Sequence, residues 1–217
     1  MDRSQQLYSE SHEVTPGGVS SPVRAFKPYP LFIESGKGCR MRDADGKEYI
    51  DLCMAYGPLI TGHAHPKVVE AVGEQIGKGT VYGAPSEPEL ALIERIHREV
   101  PSAEMVRLAC SGTEATMHAI RVARGVTGRD DIVKMKGGFH GAHDAALVNA
   151  GSGSAEGVPS SKGVLADTAR HTHVVEYNDA QAMSDLLERN RNIACVIMEP
   201  VLGNVGVIPP QKGYLEE

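Results

Sequence analysis

Apolar and polar positions along this 217-residue chain change rhythm about halfway. From about Met105, short apolar runs alternate with segments of helical spacing. "MVRLAC" reads as a strand, with Val106 and Leu108 alternating with Arg107 and Ala109. After it, Ala115, Ala119, Ile120, Val122 and Ala123 recur at helical intervals. "DIVKMK", "HTHVVEY" and "IACVIMEP" read as further strands, and "NDAQAMSDLLERN" holds a helix. Parallel strands need crossover connections, so the pattern predicts an α/β domain: a mainly parallel sheet with helices on both faces. The stretch "VNAGSGSAEGVPSSKGVLADTARH" is too long and too rich in Gly and Ser for an ordinary connection, and reads as a lid or a surface excursion.

The first part has a different pattern. In "TPGGVSSPVRAFKPYPLF", Gly17, Gly18, Pro22, Pro28 and Pro30 exclude a long helix and predict a shaped loop. "LFIESGKGCRMRDADGKEYIDLC" gives extended runs around turn signals, Asp45-Gly46 being the strongest, and predicts a small antiparallel sheet. Two covering helices follow. One spans about Pro66 to Lys78, with Val68, Val69, Val72 and Ile76 on one stripe; the other spans about Glu87 to Val100, opened by a Ser86–Glu89 capping box. Residues 1–65 are therefore expected to form an irregular and hairpin region, and residues 66–217 a large α/β domain. The sequence stops soon after "GVIPPQKGYLEE", just as a further helix becomes readable, which is unusual for an open parallel sheet.

Composition narrows the function. With 41% hydrophobic and 23% charged residues, no apolar run of membrane-spanning length and no signal pattern in "MDRSQQLYSESHEV", a cytoplasmic globular protein is expected, with no membrane partner. A formal charge of −6 offers no basic footprint for nucleic acid. Cys39, Cys53, Cys110 and Cys195 are far apart, which predicts buried reduced thiols rather than disulfides or zinc. His63 and His65 in "TGHAHP" lack acidic companions and read as a turn and helix start rather than a metal site.

Candidate chemistry begins at "LACSGTEATMHAIRVARG". Ser111 and Glu114 form a capping box and Gly125 is the expected left-handed stop. The Ser111-Gly112-Thr113 corner is either a well-capped crossover or a place where free amides and the helix dipole meet an anion such as phosphate. There is no GxxxxGK[ST] and no GxGxxG after a strand, so a dinucleotide or ATP is disfavoured, whereas one phosphate with an aromatic ring fits. "KGGFHGAHD" follows a strand, so Phe139 either stacks on a flat ring or packs in the core, with His140 beside it. Glu199 and Asn204 in "EPVLGNVG" fall at the same strand-end edge, where a carboxylate either orders a polar network or simply salt-bridges. Ser21, Arg24 and Tyr56 lie in irregular segments; an Arg fork there either grips a carboxylate or is a solvated charge.

"GGVSSPVRAF", "DGKEYIDL", "GPLITGHAHPKVVEAV", "SGTEATMHAIRVARGVTGRDDIVKMKGGFHG", "AGSG", "VPSS" and "EPVLGNVGVIPP" together resemble the N-terminal half of the glutamate-1-semialdehyde 2,1-aminomutase family, within the class III aminotransferase group of fold-type I pyridoxal-phosphate enzymes. "SGTEA" and "GGFHG" mark the wider group, while "SPVRAF" with "AGSG…VPSS" points to the aminomutases. The resemblance implies pyridoxal or pyridoxamine 5'-phosphate as cofactor, with Ser111, Gly112 and Thr113 on its phosphate and Phe139 on its ring. His140, Glu199 and Asn204 would border the ring, and Ser21, Arg24 and Tyr56 would contact an amino-aldehyde substrate. It further implies a homodimer, a gating loop over about 151–173, and a role in tetrapyrrole synthesis. The family often has Trp where Tyr56 stands and Asn where Cys110 stands. Its members are about twice as long, and the family's Schiff-base lysine falls beyond the end of this sequence. By the resemblance the chain is a fragment that holds no catalytic lysine and is inactive alone.

Overall fold

The computed structural model describes residues 2–148 and 161–217. The chain divides into two compact units, Met1–Ser86 and Glu87–Glu217. The division falls after Ser86 rather than after His65. Backbone bonds between Gly38 and His63 (2.9 and 2.8 Å) fasten the start of the next helix to the antiparallel sheet, so residues 66–86 stay with the first unit.

In that unit, α1 (Arg3–Val14) forms from a polar stretch with no apolar rhythm. Its N-terminal amides are instead taken up by carboxylates: Asp2 accepts from Gln5, while the two oxygens of Asp45 accept from Arg3 (2.6 Å) and Ser4 (3.1 Å). The hairpin signal is realised as β1 (Ile33–Lys37), β2 (Arg40–Asp43) and β3 (Glu48–Ile50), antiparallel in that order. Asp43 closes the β2–β3 turn by accepting from the amides of Asp45 and Lys47, and Gly46 supplies the positive φ of 85°. Helix α2 (Pro66–Ile76) begins at the expected proline, but its stripe of Val68, Val69, Val72 and Ile76 stands exposed among the described residues.

The second unit contains α3 (Glu87–Glu99), α4 (Gly112–Thr127), β4 (Asp131–Met135), α5 (Ala166–Ala169), β5 (Thr172–Val175), α6 (Ala180–Arg189) and β6 (Ile193–Ile197). The strands make a parallel sheet in the order β5-β4-β6, as the alternation of strands and helices predicts. Every residue of β4 is buried. Ile132 packs on one face with Ile120 of α4 and Ala145; Val133 and Met135 pack on the other with Val175, Leu186 of α6, Ile193 and Leu202. Each such Ile, Val, Leu or Met side chain removed from water contributes about 1.5–3 kcal/mol. At the N-terminal end of the sheet, Asp131 joins β4 to β5 and to the approach to β6, bonding His171, His173, Asn190 and Asn192.

Four expectations are corrected. Residues 105–110 form no strand, because no described strand offers them a ladder, and Met105 is 94% exposed. Gly125 lies within α4; the left-handed stop is Gly128 (φ 66°), whose amide bonds Arg124 O. Three of the four cysteines are exposed and Cys195 is half-buried, all with free thiols, since Cys39, Cys53 and Cys110 fall in loops and turns outside the sheet core. Of the 151–173 stretch, 151–160 lie outside the described residues, while 166–169 form α5 and Thr172 opens β5, so its second half is not a continuous loop. Among the described residues no helix is long and apolar enough to cross a membrane.

Candidate functional site

At the carboxyl end of the parallel sheet, three segments meet. The first is the start of α4. Ser111 is its N-cap: the hydroxyl accepts from Glu114 N (3.2 Å) and faces the Glu114 carboxylate (3.3 Å), so the serine half of the capping box is formed. Ala115 N bonds Ser111 O. No described residue accepts from the amides of Gly112 and Thr113, and a Cβ on Gly112 would meet nothing within 4 Å. Two amides without an acceptor among the described residues thus stand at the positive end of a 16-residue helix, an arrangement suited to an oxyanion.

The second segment, residues 136–143, leaves β4 and folds onto this corner. Thr116 Oγ1 donates to His140 O at 2.6 Å, and Ala142 N donates to Thr113 Oγ1 at 3.2 Å. Gly141 makes the approach possible: with φ of 101° it brings its backbone so near that a Cβ would fall 2.7 Å from Thr113 Cα. The result places Phe139, 53% exposed, and His140, 7% exposed, beside Ser111-Gly112-Thr113. Phe139 keeps a free aromatic surface; His140 is fixed. Burial, with the charge of Lys134 in support, pushes the His140 pKa down, and the charge of Glu199 opposes this. Its Nε2 is buried without a partner among the described residues.

The third segment leaves β6. Glu199 Oε2 accepts from Gly203 N (3.0 Å), whereas Oε1 is buried without a partner among the described residues. The following loop is closed by the Leu202–Ile208 bridge and carries the exposed Asn204 at its turn. It abuts the second segment, for a Cβ on Gly137 would come 2.6 Å from Val205. The sheet therefore gathers Ser111, Gly112, Thr113, Phe139, His140, Glu199 and Asn204 along one edge.

Beneath them lies a residue that no pattern in the sequence singles out. Lys134 is fully buried in β4; its ammonium donates to Ala146 O (3.0 Å) and Val148 O (2.7 Å). Burial pushes its pKa down to about 8, with Glu199 acting in the opposite direction. In an alternating strand a lysine reads as a solvent-facing position, and only the loop that brings two carbonyls to it explains its burial.

In the first unit, Ser21 precedes the turn Pro22–Arg24 and Tyr56 Oη donates to Val23 O at 3.2 Å, so Tyr56 is tied to the loop of Ser21 and Arg24. Arg24 is exposed. Tyr56 sits in a turn of three left-handed residues, Met54, Ala55 and Tyr56 (φ 49°, 53° and 63°), at a cost of roughly 1–2 kcal/mol each. His63 is bonded to Asp51 (2.8 Å) and His65 heads α2. Among the described residues no group of three or more His, Cys, Asp or Glu is arranged to hold a metal ion.

Comparison with known proteins places the chain in a family. The class III aminotransferase family model matches residues 22–217. The glutamate-1-semialdehyde 2,1-aminomutase of Methanothermobacter thermautotrophicus is 55% identical over 215 residues, covering 99% of this chain and 51% of the relative. An omega-transaminase from Sphaerobacter thermophilus superposes with a TM-score of 0.94 at 33% identity, over 99% of this chain and 51% of that one. A glutamate-1-semialdehyde aminomutase variant from Pseudomonas aeruginosa in complex with PMP gives 0.86 at 29% identity, over 98% and 47%. The chain spans about half the length of the curated relatives it matches.

Proposed function

This chain belongs to the class III aminotransferase family, and from that membership we propose that it is part of a glutamate-1-semialdehyde 2,1-aminomutase, which moves an amino group between neighbouring carbons to give 5-aminolevulinate for tetrapyrrole synthesis. The observation that carries this reading is the 55% identity to such an enzyme across 99% of the chain. The donor set fits the cofactor: among the described residues, two helix amides without an acceptor for a phosphate, a half-exposed phenyl ring for a flat ring, and a buried polar atom without a partner on each of His140 and Glu199.

Ser111, Gly112 and Thr113 would hold the phosphate, Phe139 would face the ring, and His140, Glu199 and Asn204 would border it. When bound, pyridoxamine phosphate supplies the amine that is exchanged and an electron-withdrawing ring that acidifies the neighbouring C–H. Within the protein, Thr113 and Thr116 hold the His140 loop against the corner, and Gly203 N orients the Glu199 carboxylate. His140, held towards its neutral form by burial, can offer or accept a hydrogen bond at Nε2 without placing a charge beside a ring. Arg24 would pair with the substrate carboxylate, with Ser21 and Tyr56 beside it. The full-length protein would act in the cytoplasm as a homodimer, and the 217 residues alone would be inactive.

The test is to supply glutamate 1-semialdehyde and pyridoxamine phosphate to the protein that carries this chain at family length, and to measure 5-aminolevulinate. Its formation supports the aminomutase. Transfer of an amino group to a separate keto acid, without 5-aminolevulinate, assigns the chain to a transaminase, the reading favoured by the TM-score of 0.94 to the omega-transaminase.

A further inference from the structure

The turn that carries Tyr56 is held where its residues would not stay by themselves. Three successive residues with side chains occupy the left-handed region, and such a turn relaxes unless its surroundings over-determine it. The bracing group is Asp51, which is 5% exposed. Its Oδ1 accepts from the amides of both Cys53 (2.9 Å) and Met54 (3.0 Å), and its Oδ2 lies 2.8 Å from His63 Nε2. Those contacts, the Met54 amide first and His63 next, hold the Asp51 carboxyl below the usual carboxylate range.

His63 is itself immobilised. Its backbone exchanges two hydrogen bonds with Gly38, and its ring lies so close over Gly36 of β1 that a Cβ there would come within 2.6 Å. A continuous rigid path therefore runs from β1 through His63 and Asp51 into the turn. At the far end, Tyr56 Oη reaches Val23 O, between Ser21 and Arg24.

We propose that Asp51, oriented by His63, is a positioning residue: it fixes the left-handed turn at 54–56, aims Tyr56, and through the Tyr56–Val23 bond steadies the Ser21–Arg24 loop for a substrate carboxylate. The substrate part rests on the function proposed above. A carboxylate suits the task because one oxygen can take two amide donors at once and its fixed charge strengthens both bonds.

Amide hydrogen exchange and the ring resonances of Tyr56, followed by NMR in the wild type and in D51A, D51N and H63A, test this. In D51A the Cys53 and Met54 amides should exchange about 10- to 100-fold faster, the factor corresponding to one lost charge-assisted hydrogen bond. The Tyr56 resonances should shift, while the amides of β1 to β3 keep their protection. D51N retains an oxygen for the two amides and should restore most of the wild-type behaviour; H63A should lie between. Unchanged exchange at 53 and 54 with unchanged Tyr56 resonances in D51A overturns the proposal, as does an equal loss of protection throughout β1 to β3. In the family-length enzyme, D51A should raise KM more than it lowers kcat. Should the turn loosen in D51A while Y56F leaves KM unchanged, the positioning of the turn stands and the substrate reading of Tyr56 falls.

Discussion

Replacing Asp131 with alanine should unfold the parallel-sheet unit more easily than its position at the end of a strand suggests. The carboxylate takes four side-chain contacts: His171 Nδ1 at 2.7 Å and Asn192 Nδ2 at 3.3 Å on Oδ1, Asn190 Nδ2 at 2.8 Å and His173 Nε2 at 3.0 Å on Oδ2. A hydrogen bond to a charged group contributes about 1.5–3 kcal/mol. The two histidine side chains are each 31% exposed, and the Asn192 contact is long, so full addition overstates the sum. A loss of about 3–4 kcal/mol for Asp131→Ala and about 1–2 for Asp131→Asn follows, a large part of the stability of an ordinary domain. The chain has no tryptophan, so urea unfolding should be followed by far-ultraviolet circular dichroism, with equal slopes required for the comparison.

The pH dependence has a definite sign. Burial alone would raise the Asp131 pKa, but hydrogen bonds from Asn190, His171 and His173 outweigh it and hold the carboxyl well below the usual range. A depressed folded pKa stabilises fully above the unfolded value of about 3.9 and is lost as pH falls below it. The gap between wild type and Asp131→Ala should therefore shrink as pH falls below about 4. Equal midpoints at neutral pH, or a gap that widens as pH falls below about 4, would refute the reasoning.

Two further outcomes test the candidate site. Lys134 has a folded pKa of about 8, below the unfolded value of about 10.4, so wild-type stability should rise between those values by on the order of 3 kcal/mol, a rise that Lys134→Met should lack in urea midpoints measured across that pH range. Gly141→Ala should cost about 1–3 kcal/mol by forcing a Cβ against Thr113 at a positive φ, and should weaken the binding of pyridoxal phosphate in an absorbance titration of the family-length protein.

The parallel sheet was legible because β4, β5 and β6 carry compact apolar runs, and the corner was legible because its capping chemistry is local to Ser111 and Glu114. What the sequence hid depends on distant partners. Helix α1 has no apolar rhythm and owes its start partly to Asp45, more than forty positions away in sequence. Residues 105–110 alternate like a strand, but alternation does not supply a neighbour with which to pair. Gly125 and Gly128 both fit the end of a helix by composition, and the capping contacts that mark the second are local but not readable from residue type: Arg124 accepts the Gly128 amide at its carbonyl and sends its Nε to Asp130 O at 2.7 Å. Of the candidate site, Thr113, Phe139, His140 and Glu199 come together because the strand ends demand it, whereas the buried role of Lys134 depends on a loop returning over β4.

The strand order also governs when the sheet can exist. β4 is synthesised first and lies in the middle, yet Ile132 finds its partner on one side only at Thr172, and Asp131 on the other only at Ile193. Until the ribosome has released both, the wholly buried strand of the unit waits with two open edges, and the face that Val175, Leu186 and Ile193 will cover stays bare. Assembly thus depends on closing long loops before any ladder stabilises the nucleus, an order of events that disfavours fast folding.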